Sequence, residues 1–486
     1  MKTMKESKKK ITILQMNDIH AYLDIHQEMF WQGDHAVYRL AGGFARIASL
    51  IKQIRTESNG RVLFCDCGDT IHGTYPALKT QGEVLIPILN LLNLDAMTAH
   101  WEFAYGPTIF QKLVSELSYP MIAINIYEKN TEKLSYPPYI VKEVGNLRIG
   151  LIGIASNIVD KVMPASYSEG LSFTLGREEL PSMIDNLRSQ ENVDLIVLVS
   201  HLGFPQEMKL LSEVPGIDVC LSGHTHNRLY KPIFQGKTLV MQSGCHGSFL
   251  GRLDLEVSSG RIVDYKHQLI EVEEDIKPDA AVDDLVRQAY APYKNELSEG
   301  VGETATALNR CTVLESTMDN FLLQALIEST GAEMAFSNGW RYGAPIVKGK
   351  ITLNDLYNII PMNPPVSTVE LTGEEILIML EENLERTFSP DPYQQLGGYV
   401  KRCLGLNVYF KMENPRGTRI QKLFIGGREV EPKRYYTAAF VTEQGVPRKY
   451  GRNRENSSQR AIDVMRAYLK KHYPLHAELK GTFVAV

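Results

Sequence analysis

Aspartates and histidines follow the ends of five predicted strands, and this arrangement constrains the fold more than any other feature of the chain. The predicted strands are short and apolar, and helix-spaced apolar segments separate most of them. They cover residues 11–15, 61–66, 95–99, 194–200 and 217–221. Alternating strands and helices predict α/β layers, in which side chains beyond the carboxyl ends of the strands meet in one crevice.

Seven of these side chains are of types that bind transition metals. They are Asp18, His20, Asp69, His100, His201, His224 and His226. Imidazole and carboxylate groups bind Zn, Mn or Fe, and a carboxylate can bridge two ions about 3.5–4 Å apart. Asp18 and His20 are separated by one residue and can turn toward one ion, and His224 and His226 repeat that spacing. Asp69 lies between the two groups in sequence, at a Gly-containing turn, and suits the bridging role.

Each of these residues taken alone has an ordinary structural interpretation. Asp18 and Asp69 could cap helices or form turns, and a lone histidine such as His201 is more often structural than a ligand. Five blocks in order at strand ends favour ligation instead. His26, His35 and His72 have no motif position, whereas we expect His246, in a Gly-rich segment, to line the substrate site.

In this order the five blocks resemble the metallophosphoesterases of the 5′-nucleotidase type. Their motifs are D-x-H, G-D, G-N-H-E, an isolated H, and G-H-x-H, each after a strand. The resemblance runs from about residue 11 to residue 468. It implies a four-layer β-sandwich flanked by helices, followed by a C-terminal α/β nucleotidase-like substrate domain. It also implies two ligand sets, namely Asp18, His20, Asp69 and His226 for one ion, and Asp69, His100, His201 and His224 for the other.

One block departs from the family pattern. Where the family has G-N-H-E-F-D, residues 99–104 read A-H-W-E-F-A. His100 therefore replaces the Asn ligand, Trp101 replaces the His that protonates the leaving group, and Ala104 replaces the Asp that orients that His. An indole donates no proton at a useful pKa. His100 is either a ligand in place of Asn or the new acid, and the ungapped alignment favours the ligand.

This variant resembles the Sox-pathway thiosulfohydrolase branch of the superfamily, which hydrolyses sulfate from a cysteine-linked thiosulfonate on a carrier protein. Further matches lie at residues 243–252, 336–343 and 391–398. A thiolate or sulfate leaving group needs little protonation, which accounts for a branch without a general acid.

The C-terminal half contributes predicted substrate contacts. Arg341 matches the family Arg that binds phosphate or carboxylate, and a guanidinium fork suits an oxyanion. Arg402 is a second candidate, with a surface salt bridge as the alternative. Tyr399 falls near the first of two base-stacking aromatics, while the second is displaced or absent around residues 440–443. Stacking contributes about 1–3 kcal/mol per base, so its loss would weaken nucleoside preference.

Composition shifts near residue 271, where an acidic segment with a proline precedes a helical one. This predicts a catalytic domain over residues 1–271, a connector helix over 272–300 and a substrate domain over 301–486. From the resemblance, the connector could let the second domain swing substrate toward the metals.

Charge and cysteine usage bear on partners and location. The 52 Lys plus Arg and 57 Asp plus Glu give a net charge of −5, which offers no general attraction to nucleic-acid polymers or anionic membranes. No uninterrupted apolar segment approaches the ~18 residues of a membrane span. Residues 1–10 are basic but lack a following secretory apolar region, and the six cysteines form no CxxC pair. We therefore expect a cytoplasmic protein, with its oligomeric state open.

Together these features predict a dinuclear hydrolase of phosphate esters, above all of nucleotides, acting as a 5′-nucleotidase or 2′,3′-cyclic nucleotide phosphodiesterase. Metal-activated hydroxide would attack, with Asp69 and His100 at the metals and Arg341 neutralising the oxyanion. The cofactors would be two Mn, Zn or Fe ions, and the partner a small-molecule phosphate or sulfur oxyanion. The alternatives are a sulfate-releasing thiosulfohydrolase-like enzyme and a non-catalytic metal-containing protein that binds anions.

Overall fold

The computed structural model describes residues 8–486, which form two compact units. The first unit contains the described residues up to His26 together with Leu40–Ala291, and the second contains Gln27–Arg39 and Pro292–Val486. Residues 1–7 of the predicted basic segment and of the predicted first domain lie outside the described part of the chain. No helix within residues 8–486 has the length and apolar character that crossing a membrane requires.

Strands and helices alternate through residues 8–291, as the sequence predicts. The strands are β1 (Lys9–Met16), β2 (His26–Gln32), β3 (His35–Ala41), β4 (Val62–Asp66), β5 (Ala96–Met97), β6 (Ile126–Glu128), β7 (Tyr139–Val144), β8 (Leu147–Ile154), β9 (Leu171–Phe173), β10 (Leu195–Ser200), β11 (Val219–Ser222), β12 (Ile233–Gln235), β13 (Thr238–Met241), β14 (Phe249–Ser258) and β15 (Arg261–Glu271). The helices are α1 (Phe44–Glu57), α2 (Tyr75–Lys79), α3 (Ile86–Leu92), α4 (Pro107–Glu116), α5 (Val159–Val162), α6 (Leu180–Ser189), α7 (Phe204–Glu213) and α8 (Ala280–Tyr290), with short 3-10 turns at Glu83–Leu85, Trp101–Tyr105 and Ala165–Ser168.

Two mixed sheets form the centre of the first unit. One has the strand order β15-β14-β1-β4-β5 and the other β12-β13-β11-β10-β8-β7. Ile13 of β1 and Val197 of β10 belong to one buried apolar cluster, which joins the two sheets. Helices α1, α3 and α8 pack into a second cluster on the first sheet, and Leu187 of α6 lies against Gly150 of β8 on the other. These layers confirm the predicted helix-flanked sandwich.

Helix α8 is part of the first unit. Its apolar stripe of Val282, Val286 and Ala289 is buried in the same cluster as Phe44 of α1. The Asp279 carboxylate caps the helix by accepting from the backbone N–H of Val282. The predicted connector over residues 272–300 thus holds a packed helix, and the units divide after it, between 291 and 292. Helical spacing reveals the stripe but not what it packs against.

The hairpin of β2 and β3 is the second departure from the predicted division. Most of it, Gln27–Arg39, belongs to the second unit although it lies inside the predicted first domain. Met29 and Phe30 are buried, and the Asn309 side chain donates to the Met29 sulfur at 3.1 Å. Such a long-range assignment leaves no mark in local periodicity.

The second unit is also α/β. Its strands are β16 (Gly300–Thr304), β17 (Met334–Ser337), β18 (Gly349–Thr352), β19 (Pro365–Thr372), β20 (Arg402–Leu404), β21 (Leu406–Phe410), β22 (Ile420–Ile425), β23 (Arg428–Glu429), β24 (Tyr435–Phe440), β25 (Arg452–Arg460) and β26 (Phe483–Ala485). Its helices are α9 (Lys294–Leu297), α10 (Thr317–Thr330), α11 (Leu353–Ile359), α12 (Gly373–Phe388), α13 (Thr442–Gly445) and α14 (Ala461–Lys471), with 3-10 turns at Ala291–Tyr293 and Pro392–Gln394.

Two sheets organise this unit, with the strand orders β20-β17-β24-β19-β25 and β23-β22-β21-β26. Phe336 of β17, Met379 of α12 and Phe410 of β21 share its main apolar core. The two-domain α/β architecture predicted from the sequence is confirmed.

Candidate metal centre

All seven predicted metal ligands lie just beyond strand ends in the first unit. Asp18 and His20 follow β1, Asp69 follows β4, His100 follows β5, His201 follows β10, and His224 and His226 follow β11. Strands β1, β4 and β5 belong to one sheet, whereas β10 and β11 belong to the other. The crevice therefore lies where the carboxyl ends of two facing sheets meet, rather than at the edge of one open sheet.

The seven side chains form two groups that could each hold a metal ion. One comprises Asp69, His100, His201 and His224, and the other comprises Asp18, His20 and His226. Within each group the ligand atoms lie within 4.8 Å of one another. Six of the seven residues are buried and His226 is half-buried. So many buried ligand-type groups at this spacing are typical of a metal centre rather than of a solvated surface.

Asp69 joins the two groups. Its Oδ2 lies 3.2 Å from Nδ1 of His100, 3.2 Å from Nε2 of His201 and 3.8 Å from Nε2 of His20. Within the second group, Asp18 Oδ1 lies 3.2 Å from Nε2 of His226. The position of Asp69 is the one expected of a carboxylate shared by two cations.

The backbone is strained at five of these residues. Positive φ angles occur at Asp18 (54°), His20 (51°), Asp69 (58°), His224 (72°) and His226 (58°). Residues with a Cβ occupy this left-handed region at roughly 1–3 kcal/mol each, and such strain clusters at functional sites. The surrounding fold therefore holds the ligands against a local preference for other conformations.

The loops that carry the ligands are tied together by one buried carboxylate, that of Glu102. It accepts backbone N–H groups from His100 at 2.8 Å, Thr70 at 2.6 Å, and Asp69 and Ile71 at 3.3 Å each. Glu102 thus fixes the loop after β4 to the loop after β5. No role is predicted for Glu102 from the sequence, although its place in the third motif block is a usable signal.

We expect Glu102→Gln to loosen both loops. An amide offers one acceptor oxygen where the carboxylate offers two, and its NH₂ group then faces backbone donors. We expect a loss of about 1–3 kcal/mol in the free energy of unfolding and a roughly 10–100-fold weaker affinity for Mn²⁺ or Zn²⁺. Urea unfolding and metal titration measure the two effects. The exposed Glu116→Gln change is the control, and equal metal affinity in both variants would contradict this role for Glu102.

Burial and charge at the centre fit a pair of cations. Burial alone would raise the pKa of the Asp69 carboxyl, but the facing His100 and His201 hold it well below its usual value. Burial lowers the pKa of His20 to about 3, so this ring is neutral and ready to ligate at pH 7. The buried Nε2 of His100 makes no hydrogen bond within residues 8–486. A bound cation would coordinate such a nitrogen atom. A set of carboxylate and imidazole ligands suits divalent transition metals.

His246, which the sequence predicts to line the substrate site, lies beside this centre. Its ring is fully buried and lies 6.3 Å from the ring of His20 and 6.2 Å from that of His226. The Cys245 sulfur lies 3.5 Å from its Nδ1.

Arg341 and Tyr399 lie together in the second unit. The Arg341 guanidinium carbon is 5.5 Å from the centre of the Tyr399 ring, and one of its amino groups donates to the carbonyl of Gly398 at 3.1 Å. Both side chains are half-buried, so they can still reach a ligand.

Arg402 is not a substrate contact, and that prediction needs correction. Its guanidinium is 1% exposed and lies 3.0 Å from the Asp319 carboxylate. It also donates to the carbonyl oxygens of Val313 at 3.0 Å and Thr312 at 2.5 Å. The charge is thus committed to the protein interior. Local sequence gives an arginine near a Gly-rich loop but does not reveal its buried partner.

Asp319 serves a second buried arginine as well. Arg310 donates to its Oδ1 from Nε at 3.1 Å and from Nη2 at 2.9 Å, and none of the three side chains is more than 1% exposed. Arg310 also donates to the carbonyl of Tyr342 at 3.0 Å, next to Arg341. One carboxylate therefore balances two buried guanidinium groups beneath the loop that presents Arg341.

Comparison with known proteins gives matches in both units. Residues 11–228 match the calcineurin-like phosphoesterase family, and residues 296–442 match the 5′-nucleotidase C-terminal domain. The trifunctional nucleotide phosphoesterase protein YfkN of Bacillus subtilis is 25% identical over 464 residues, which cover 85% of this chain and 30% of that protein. The chain thus spans about a third of the length of this relative.

Two solved structures from Thermus thermophilus are similar over nearly the full length. The sulfate thiohydrolase SoxB superposes with a TM-score of 0.92 at 25% identity, covering 98% of this chain and 96% of that one. A 5′-nucleotidase precursor superposes with a TM-score of 0.85 at 22% identity, covering 98% and 99%.

Proposed function

Because the chain joins a calcineurin-like phosphoesterase domain to a 5′-nucleotidase C-terminal domain, it belongs to the 5′-nucleotidase-type metallophosphoesterases, and we propose that it hydrolyses nucleotide phosphoesters. Metal-dependent hydrolysis of phosphoester bonds is the chemistry of this family. The observation that carries the proposal is the pair of ligand groups joined by Asp69.

Asp18, His20, Asp69 and His226 are proposed to hold one divalent cation, and Asp69, His100, His201 and His224 the other. When bound, two such cations supply an activated water nucleophile and positive charge for the oxyanion. The His-rich donor set suits Mn, Zn or Fe. The Glu102 carboxylate accepts the backbone N–H groups of both His100 and Asp69, and so holds these two residues next to each other for this role.

The second unit is proposed to supply substrate contacts of its own. Arg341 would bind an anionic group through its guanidinium fork, and Tyr399 would stack on a base. The half-buried position of both supports this assignment. In the first unit, His246 would contribute a polar contact at the edge of the metal centre.

A turnover screen tests the proposal. AMP, 2′,3′-cyclic AMP, phenyl phosphate and a thiosulfonate are each incubated with protein as purified, after chelation, and after addition of Mn²⁺ or Zn²⁺, alongside elemental analysis. We expect phosphoester hydrolysis that chelation removes and added metal restores. Undiminished turnover in a metal-depleted preparation would refute the dinuclear centre, and binding of anions without any turnover would favour a non-catalytic role.

The presence of Trp101 predicts that the rate of hydrolysis depends strongly on the leaving group of the ester. General acid catalysis is worth about 10²–10⁴-fold, and the position that supplies the acid in this family holds an indole here. We therefore expect kcat for phenyl phosphate to exceed that for AMP by about this factor under identical metal loading. Comparable kcat values for the two esters would mean that another side chain donates the proton.

Hydrolysis of a thiosulfonate with release of sulfate is the second candidate function. It is favoured by the same missing acid and by the TM-score of 0.92 to the Thermus thermophilus sulfate thiohydrolase SoxB. Turnover of the thiosulfonate but not of any phosphoester in the screen would select it.

A cytoplasmic location stays a prediction. It rests on ordinary cysteine usage, with six cysteines in 486 residues and no CxxC pair.

A further inference from the structure

The indole of Trp101 stands at the border of the metal centre. Its backbone N–H donates to Asp69 Oδ1 at 2.7 Å, and its ring lies 5.8 Å from the ring of His100. The side chain is half-buried, in contrast to those of Asp69 and His100 beside it, which are 2% exposed. Part of the indole surface is therefore accessible beside the ligands.

A buried imidazole supports this indole. The ring of His72 stacks on that of Trp101, with centroids 5.2 Å apart and an interplanar angle of 20°. His72 is fully buried, and neither of its ring nitrogens makes a hydrogen bond within the described chain. Leaving such a group unsatisfied destabilises a fold by about 1–3 kcal/mol. The imidazole of His72 instead stacks on the indole of Trp101.

Tyr105 completes the support from another side. Its ring lies 5.3 Å from that of His72, and its hydroxyl donates to the carbonyl of Ile71 at 3.3 Å. Trp101, His72 and Tyr105 together form what we call the aromatic wall. Tyr105 thus packs on His72 and His72 on the indole, while the ring of Tyr167 meets the indole edge to face at 6.5 Å.

We propose that the aromatic wall receives the leaving group of the substrate and makes this enzyme prefer phosphoesters with a flat aromatic leaving group over alkyl esters. The inference rests on the proposed phosphoester hydrolysis but not on its nucleotide specificity, because a 5′-nucleotide is an alkyl ester and would be the slower substrate at this site. Trp101 is the contact residue, and His72 is a positioning residue that acts through it.

Two properties of an indole point to the same class. It can stack on a flat ring, and it cannot protonate a departing alkoxide. A phenolate needs no such help, because a phenol, like the Tyr side chain, ionises near pH 10. In the step, a water oxygen bonds to phosphorus while the bond from phosphorus to the phenolic oxygen breaks. The phenolate leaves with the electron pair and takes its proton from solvent, which also receives the proton of the attacking water.

Phosphonates separate ring binding from turnover, because their carbon–phosphorus bond is not hydrolysed. The dissociation constants of phenylphosphonate and methylphosphonate are measured by calorimetry on the metal-loaded full-length protein. We expect phenylphosphonate to bind more tightly to wild type, and Trp101→Ala to weaken it about 5–150-fold, the range that stacking on one aromatic ring supplies. Methylphosphonate affinity should change by less than about twofold, and Trp101→Phe should recover part of the loss.

The positioning role has its own signature. His72→Ala should weaken phenylphosphonate but not methylphosphonate, and His72→Phe, which restores a flat ring, should rescue it. For phenyl phosphate we expect the wall variants to raise KM while leaving kcat nearly unchanged, as removal of uniform binding does. Trp31→Ala, which removes an indole that is 68% exposed, is the matched control.

A spectroscopic measurement on the intact wall guards against a variant that fails to fold. With Trp31→Phe and Trp340→Phe, Trp101 is the only tryptophan left of three. Its fluorescence should respond to phenylphosphonate and not to methylphosphonate. Equal affinity of wild type for the two phosphonates, or equal losses for both in Trp101→Ala, would overturn the inference. Discrimination between phosphonates without turnover of any ester would refute the proposed function and leave the wall standing.

Discussion

Replacing Asp69 with alanine is expected to abolish hydrolysis of phenyl phosphate, with a fall in kcat of at least about 1,000-fold, and to release most of the bound metal. The Asp69 carboxylate lies between both ligand groups, 3.2 Å from His201 and 3.8 Å from His20, while Asp18 lies 3.8 Å from His201. Its loss would remove the carboxylate that both proposed cations share and leave Asp18 as the one carboxylate among the six remaining predicted ligands. Metal content per chain and initial rates in added Mn²⁺ or Zn²⁺ measure the two effects.

His224→Ala should behave similarly but less severely, because it removes a neutral ligand from one group only. Asp185→Ala, an exposed change on α6, is the matched control and should retain metal and rate. The dinuclear interpretation would fail if Asp69→Ala kept a full complement of metal and wild-type turnover.

Asp319→Ala is expected to cause the largest loss of stability of any single change considered for the second unit. Arg310 and Arg402 both rest on this carboxylate, and all three side chains are buried. Removing one partner of a buried pair leaves an uncompensated charge and lowers the free energy of unfolding by about 3–5 kcal/mol. Here two guanidinium groups lose their counter-charge, so the upper part of that range is expected. Urea denaturation followed by circular dichroism gives the value.

Two further variants make this prediction discriminating. Glu333→Ala breaks the exposed pair with Arg434 and a hydrogen bond from the backbone N–H of Thr437, and should lower stability by about 1–2 kcal/mol. Arg402→Met leaves the Arg310–Asp319 pair intact and replaces the surplus cation with an apolar chain, so its effect should be much smaller than that of Asp319→Ala. Similar losses in Asp319→Ala and Glu333→Ala would show that the buried carboxylate is not the stabilising group.

The candidate metal centre could be predicted from the sequence because every predicted ligand lies within a few residues of a strand that local hydrophobicity reveals. Asp18 and His20 follow β1 at a fixed offset, and the same holds for His201 after β10. Local sequence patterns do not reveal which strands belong to which of the two sheets. The ligands come from two facing sheets, and the pairing of β1 with β14 is set by contacts some 240 residues apart, as between Ile13 and Leu253.

The wrong prediction for Arg402 and the missing roles of two other residues have one physical cause, namely contacts between residues that are not adjacent in the sequence. Arg402 was predicted to bind substrate because its charge was visible, whereas its buried partner Asp319 lies 83 residues earlier and inside α10. Glu102 and His72 lacked a role for the same reason, since their functions depend on the loops and rings above them. Charge and residue type are evident from the local sequence, but the burial of a side chain and its hydrogen-bond or ion-pair partners are not.

The hairpin at Gln27–Arg39 has a consequence for how the gene can be cut and recombined. The second unit is discontinuous in the chain, because this early segment contributes Met29 to a contact with Asn309. A fragment that starts at residue 292 would lack that segment and expose the surface it covers. A chimera joined to a relative at the same point would carry its hairpin from one parent and the rest of the unit from the other. Exchange of the second unit with that of a relative therefore requires three junctions, at residues 26/27, 39/40 and 291/292.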